Sequence, residues 1–351
     1  MNYTSINASS VSCDTGPFSS KPILTRTFLE LRSVFIIRIA VDAISCPLVV
    51  LLNILVMVAV KTKRPLRSKS NITLACLSTT DLVVGLSVQP LRMVYSSLML
   101  KGETDIICGG LARTTVAITS RCVLASLYHF VLLGGERYLA IKHPFAYDKL
   151  VTEVRVIIAS CLAWAAVIIL PLEDFWPAKI QLVAKLLVHV IPFIFLPFIV
   201  YFNVSVYKEI RRNQKQIIGN QVSLEVKQKL LKNKKAFYCT MIVLLTFFLC
   251  YFPSNIFVFI MISLPDGTPM NIGVILSHLT VTLFPILNSL FNPLIYAVRI
   301  RDFRVAFIQL LSRKTIEQAE ELERSMFGPK KIGVVLSPED EVLRRENETL
   351  N

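Results

Sequence analysis

The chain has 351 residues, of which 54% are hydrophobic and only 18% charged, with a mean hydropathy of +0.59. Soluble domains carry nearer a quarter charged residues, and apolar runs recur from about residue 36 to residue 298, which excludes a string of soluble domains. Twelve Gly exclude a collagen-like chain, eight Cys exclude a disulfide scaffold, and the placement of a net +14 charge must decide between nucleic acid and membrane.

Residues 1–35 form a polar N-terminal tail with Asn2-Tyr3-Thr4 and Asn7-Ala8-Ser9 as glycosylation acceptors. The tail has no basic stretch followed by an apolar core, so no cleavable signal is expected and the first span serves as anchor. Seven apolar stretches follow, near 36–60, 71–99, 108–137, 154–173, 180–206, 236–262 and 272–298. Each can cross about 30 Å of hydrocarbon as a helix of roughly 20 residues. Lipid tolerates no open strand, and no ten-residue alternation marks a barrel. The predicted fold is therefore all-α: a seven-transmembrane helix bundle over 36–298.

Basic residues sort by loop parity. The first loop holds Lys61, Lys63, Arg64, Arg67 and Lys69; the third holds Arg137, Lys142, Lys149 and Arg155. The fifth runs from Lys208 to Lys235, and Arg299, Arg301 and Arg304 follow span seven. The alternate loops are short and mixed in sign. This asymmetry predicts an N-terminus outside and a C-terminus in the cytosol. The charge then faces anionic lipid and cytosolic partners rather than nucleic acid. Residues 299–314 carry Phe303, Phe307 and Leu310 at i, i+4, i+7, which predicts an amphipathic eighth helix on the membrane surface. The tail over 315–351 is charged and is predicted to be flexible.

Asp81 lies about ten residues into span two, roughly 15 Å deep. A carboxylate at that depth is functional by default. Short polar residues on other spans can meet it: Asn53, Ser126, Asn288, Ser289 and Asn292. This oxygen-rich set suits a hard cation, and equally a water-filled hydrogen-bond network. Glu136 precedes Arg137 at the end of span three, where an arginine can also snorkel to the interface. Pro253 and Pro293 each remove a helical hydrogen bond and predict kinks in spans six and seven.

Three strings carry a resemblance. Span three ends Glu136-Arg137-Tyr138-Leu139-Ala140-Ile141-Lys142-His143-Pro144-Phe145-Ala146-Tyr147. Span six contains Phe247-Phe248-Leu249-Cys250-Tyr251-Phe252-Pro253, and span seven Asn288-Ser289-Leu290-Phe291-Asn292-Pro293-Leu294-Ile295-Tyr296. With Asn53, Leu77-Ser78-Thr79-Thr80-Asp81 and Trp164, the chain over about 36–311 resembles the rhodopsin-like (class A) G-protein-coupled receptors.

The resemblance implies a sodium pocket at Asp81, Asn53, Ser126, Asn288, Ser289 and Asn292, with allosteric Na+ and no other cofactor. It implies G-protein coupling through Glu136, Arg137, Tyr138, Pro144 and Phe145. It implies activation switches at Phe247, Tyr251 (where the family usually has Trp), Pro253, Pro293, Tyr296 and Tyr207. The Tyr207 match places Ile199 at the usual span-five proline, with Pro197 displaced. A second acid near the start of span six is replaced by Asn233-Lys234-Lys235, so the interspan ionic lock is absent and basal activity is expected.

Departures from the pattern narrow the ligand. Cys108 lies about one turn farther from Arg137 than usual, and the second outer loop has no Cys, which leaves a Cys13–Cys108 bond as the available disulfide. That short loop and the displaced proline resemble the melanocortin, cannabinoid, lysophospholipid and adenosine receptor group. Opsins need a span-seven lysine where Ile286 stands. Amine receptors use a span-three aspartate where Thr119 stands, and the adenosine receptors' span-six asparagine falls at Val258. Thr119, Ser126 and Arg137 share one helical face, with Thr115 one turn outward. The outer half offers Arg92, Thr115, Thr119, Asn255 and His278 to a ligand. Asp42 can pair with Arg92, or Arg92 can engage an anionic ligand; both readings stand. Arg121 has no role in this scheme.

The function expected is a plasma-membrane receptor that converts an extracellular small-molecule, lipid or peptide ligand into heterotrimeric G-protein activation through outward movement of span six. A receptor for a lipid or peptide with high basal activity is an alternative. A secondary transporter would need inverted repeats, and no repeat is visible. The absence of HExxH or GxSxG strings argues against an enzyme.

Overall fold

The computed structural model describes residues 25–101, 110–169, 178–219, 224–263 and 283–328. Every regular element among them is helical. They are α1 (Thr25–Thr62), α2 (Lys69–Val83), a π turn (Val84–Val88), α3 (Gln89–Lys101), α4 (Ala112–Lys142), α5 (Pro144–Leu150), α6 (Glu153–Ile169), α7 (Ala178–Gly219), α8 (Leu224–Ser263), α9 (Phe284–Arg299), α10 (Arg301–Ser312) and α11 (Ile316–Phe327). A 3-10 turn at Arg64–Leu66 joins α1 to α2, where the Ser68 hydroxyl caps α2 by accepting from the Asn71 amide.

Four helical stretches among the described residues are long and apolar enough to cross a membrane: Arg32–Thr62, Lys69–Lys101, Thr114–Lys142 and Lys234–Ser254. Pro144–Leu150 and Glu153–Ile168 pass together but meet at a 71° bend. The helices are inverted relative to a soluble bundle. On α1, Ile36, Ile37, Ile44 and Leu48 are exposed, while Arg38, Asp42, Ser45 and Asn53 are buried. In lipid the exterior can be as apolar as the core, and polar side chains turn inward to find partners. α1 packs on α2, α3 and α9, α4 packs on α2, α6 and α7, and α8 lies against α9.

At the π turn the second span packs closely on α1. A Cβ at Gly85 would sit 2.9 Å from Val50 Cγ2 and 3.0 Å from Val49 Cγ1, so only glycine fits without a shift. A wide turn leaves a carbonyl out of the regular ladder, and Cys46 Sγ donates to the Gly85 oxygen at 3.2 Å. Beyond it, Gln89, Arg92 and Ser96 are buried on one face of α3.

The helices overrun several expected limits. α7 continues to Gly219 and α8 begins at Leu224, so most of the basic fifth loop is helical. Hydropathy marks where a helix leaves lipid, not where it ends, and Lys, Arg, Gln and Glu are good helix formers. The tail prediction is corrected too: α11 forms at Ile316–Phe327 within the charged segment. Thr315 Oγ1 accepts from the Gln318 amide, and Gln318 Oε1 accepts from the Thr315 amide, a reciprocal cap. Arg324 pairs with Glu320 one turn earlier at 3.5 Å. α10 forms at Arg301–Ser312, with Phe303 and Phe307 buried and Leu310 half-buried.

Candidate functional site

Two polar constellations and a set of packed aromatic rings make up the site. The first surrounds Asp81 on α2. Asn292 Nδ2 on α9 donates to Asp81 Oδ2 at 2.8 Å. Asn53 Nδ2 on α1 donates to the oxygens of Val49 at 2.9 Å and Ser289 at 3.1 Å. Ser126, Asn288 and Ser289 are all buried beside them. All five residues expected around this carboxylate are therefore buried in the bundle with it. Their spacing explains it: Asn288, Ser289, Asn292 and Tyr296 recur at helical intervals on the buried stripe of α9. An apolar layer of Val84, Val88, Cys122 and Ile286 closes the pocket on the side away from Arg137.

The donor set fits a hard cation. Asp81 Oδ1, Asn53 Oδ1, Ser289 Oγ and Asn292 Oδ1 are buried without a protein hydrogen-bond partner. Buried oxygens without donors are costly unless a cation or water satisfies them. Oxygen donors that include a carboxylate suit a hard cation such as Na+.

The second constellation lies at the Arg137 end of α4. Arg137 Nε is 3.5 Å from Glu136 Oε2, an ion pair without hydrogen-bond geometry. Glu136 Oε1 instead accepts from the Tyr147 hydroxyl at 2.6 Å. Burial first, then the Glu136 carboxylate, pushes the Tyr147 phenol above its ordinary range, so it stays a donor. Lys69 Nζ stands 4.4 Å from the Tyr147 ring centre and 3.0 Å from Asp148 Oδ1. Arg155 donates to the oxygens of Lys149 and Leu150, satisfying the last carbonyls of α5. α5 is thus held on both sides, and it presents Phe145 at 92% exposure. Pro144 opens that helix at its first turn. Tyr138 faces Phe202 with ring centres 5.5 Å apart and packs beside Val206, Ile210 and Phe237.

Aromatic rings pack in the bundle interior as well. Phe247 lies 4.6 Å from Phe130 and 4.4 Å from Tyr251, all buried. Pro253 follows two residues after Tyr251, inside α8. Tyr296 is fully buried, and its ring lies 5.7 Å from Phe303 of α10.

Tyr207 departs from its expected place. The buried stripe of α7 is Ile199, Asn203, Val206 and Ile210. Tyr207 lies off that stripe, 39% exposed, and its hydroxyl accepts from Arg211 Nε at 2.9 Å. A helix turns 100° per residue, so one position separates a core residue from a surface one. Arg92, for which two readings stood open, is paired with Asp42 at 3.2 Å, both buried. Thr115 donates to the Leu111 oxygen and Thr119 to the Thr115 oxygen, at 2.8 and 2.7 Å. Asn255 is on α8, though its side chain lies outside the described set; Asn2, Asn7, Cys13, Cys108 and His278 lie outside the described residues.

Two partners escaped the sequence reading. Tyr147 closed the span-three string without a role of its own. His129 ties α4 to α6: a carbonyl only accepts, so Nδ1 donates to the Ala125 oxygen at 2.6 Å and Nε2 accepts the Ser160 hydroxyl at 2.7 Å. Its position, three residues after Ser126 and one before Phe130, gave no sign of which helix it would face.

Comparison with known proteins finds relatives in one family of receptors. The model of the 7 transmembrane receptor (rhodopsin family) matches residues 52–175 and 168–296. The histamine H2 receptor of Rattus norvegicus is 27% identical over 285 residues, 75% of each chain. The adenosine receptor A2b of Mus musculus is 26% identical over 332 residues, 83% of this chain and 95% of its own. The histamine H2 receptor of Homo sapiens is 27% identical over 282 residues, 74% of each.

Proposed function

We infer the working of this molecule from one premise: the chain belongs to the rhodopsin family of seven-transmembrane receptors. It is a ligand-activated G-protein-coupled receptor and not an enzyme. Our reading of its mechanism is that the Arg137 end faces the cytosol and the N-terminus faces outside, as the loop charges favour. An agonist binds the outer half better when the Arg137 end of α8 has swung outward, and so raises that state's population. Arg137 then leaves Glu136 and contacts the G protein, with Phe145 inserting its ring beside it.

The observation that best supports this is the Glu136 geometry. Glu136 is bonded by Tyr147 at 2.6 Å and only approached by Arg137 at 3.5 Å. Arg137 can therefore leave without stripping the buried carboxylate of its strongest donor. Phe145, the most exposed large apolar side chain described, sits on the same short helix that Tyr147 anchors. Asp81, Asn53, Ser126, Asn288, Ser289 and Asn292 would hold Na+, which supplies positive charge to the buried carboxylate and favours the resting arrangement.

The span-three position used by amine receptors is Thr119, a neutral side chain bonded within its own helix, so the ligand is not an amine held by that contact. The test is basal cAMP and G-protein dissociation in cells expressing wild type and Arg137→Ala. Signalling by wild type that Arg137→Ala abolishes at equal surface expression supports the reading. Equal signalling by both removes Arg137 from the coupling step.

A further inference from the structure

A third polar cluster lies between α1 and α3, in the half of the bundle remote from Arg137. Arg38 is 5% exposed, Asp42 0% and Arg92 4%. Arg38 stands one turn before Asp42 on the inward face of α1, within electrostatic reach of Asp42, Arg92 and Tyr95. One carboxylate is thus within reach of two guanidiniums, and the one it bonds is Arg92.

Arg38 is left over. Its Nε is buried without a hydrogen-bond partner, as are Ser96 Oγ, Gln89 Oε1 and Asp42 Oδ1. Gln89 Nε2 is engaged by Ser45 Oγ at 2.7 Å. A guanidinium cannot shed its proton in a protein, and a buried charge needs a partner of opposite sign. A rotation of Arg38 toward Asp42 Oδ1 would fill that oxygen, and Asp42 would still be shared by two cations. The chemistry that resolves the cluster is an anion accepting from Arg38 and from the Ser96 hydroxyl. The donors match acceptor-only oxygens, and a planar fork matches carboxylate or phosphate. Asp42 Oδ1 would face such an anion unfavourably, which places the anion on the Arg38 side of the pair.

We propose that the Arg38–Asp42–Arg92 cluster is the anion subsite of this receptor, taking the carboxylate or phosphate of its ligand between α1 and α3. The proposal deepens the receptor reading by naming the ligand's charge; its meaning for signalling rests on that reading, while binding itself does not. The neighbours of Arg38 on α1, Ile36 and Ile37, are exposed apolar side chains, so an acidic amphiphile in the membrane and a soluble anion can both supply the group.

The test is thermal unfolding of the purified full-length receptor in neutral detergent. The probes are sodium oleate, oleoyl lysophosphatidate and inorganic phosphate, with monoolein as the uncharged control. A ligand at about a hundredfold over its Kd should raise Tm by roughly 5 °C. Arg38→Gln should unfold at or above the wild-type temperature without probe and lose the rise. Arg38→Lys should keep part of it, and Ser96→Ala should need several-fold more probe. A rise with oleate and lysophosphatidate alone assigns the subsite to an amphiphile; a rise with phosphate too assigns it to the anion itself. No rise with any anion, an equal rise with monoolein, or an undiminished rise in Arg38→Gln overturns the proposal. Basal G-protein activation measured on the same variants separates the two readings, because loss of probe binding with Arg137-dependent signalling intact leaves the receptor assignment standing.

Discussion

Asn53 Nδ2 donates to the main-chain oxygen of Ser289 at 3.1 Å, joining α1 to α9. The reason lies four residues on. In a regular helix the Ser289 oxygen would accept from the amide of residue 293, and Pro293 has none. The orphaned carbonyl is buried, so a donor from another helix is required.

Asn53→Ala should leave that oxygen without a donor and cost about 1–3 kcal/mol. Pro293→Ala restores a main-chain donor, so the double variant should lose less than the two single losses together. Thermal unfolding of the four purified proteins measures the coupling. Strict additivity would mean that Asn53 does not serve this carbonyl.

Gly85 tests the close approach at the π turn. Gly85→Ala places a methyl 2.9 Å from Val50 Cγ2, and overpacking of this kind costs about 1–3 kcal/mol. Val50→Ala removes the nearer of the two close contacts and leaves Val49 Cγ1 at 3.0 Å, so Gly85→Ala/Val50→Ala should recover part of the loss. Expression yield and Tm report both effects. A fully stable Gly85→Ala protein would show that α1 can step aside freely.

Sodium should stabilise the wild type through the oxygens around Asp81. Tm in sodium chloride is expected to exceed Tm in choline chloride by a few degrees, following ligand linkage. Asp81→Asn removes the anionic ligand and should abolish the difference. If the variant keeps the full sodium effect, the cation acts elsewhere.

Phe145 separates signalling from folding. Its ring touches little, at 92% exposure, so Phe145→Ala should leave Tm within about 0.5 kcal/mol of wild type in equivalent stability. G-protein dissociation should fall severalfold, because the ring's apolar burial is realised only in the complex. Tyr147→Phe should behave oppositely: it removes the donor to a buried carboxylate at 2.6 Å and should lower Tm by the equivalent of about 1.5–3 kcal/mol.

Much of this site was legible along the chain because it is periodic. Asn288, Asn292 and Tyr296 fall on one stripe of any helix, as do Thr119 and Ser126, and a carboxylate deep in an apolar run announces itself. The same rule placed Arg38 and Asp42 on one face, yet left Arg38 unremarked, since an arginine four residues before an acid on an exposed helix is unexceptional. The α11 cap was equally readable, in Thr315 and Gln318 three apart, but net charge masked it. Tyr207 shows the limit of counting from a motif: one residue of offset moves a side chain from the core to the surface.

The sequence by itself determined the long apolar stretches, the inward faces and the residues able to meet around Asp81, because hydropathy and the 3.6-residue period are local properties. It determined as well that Pro293 would free a carbonyl. Tertiary structure alone decided which donor answers that carbonyl, that Arg92 bonds Asp42 while Arg38 does not, and that Glu136 takes its proton donor from Tyr147. Each of those is a choice among side chains from different helices. Such a choice depends on how two helices approach and rotate about each other, and single-helix periodicity carries no information about that.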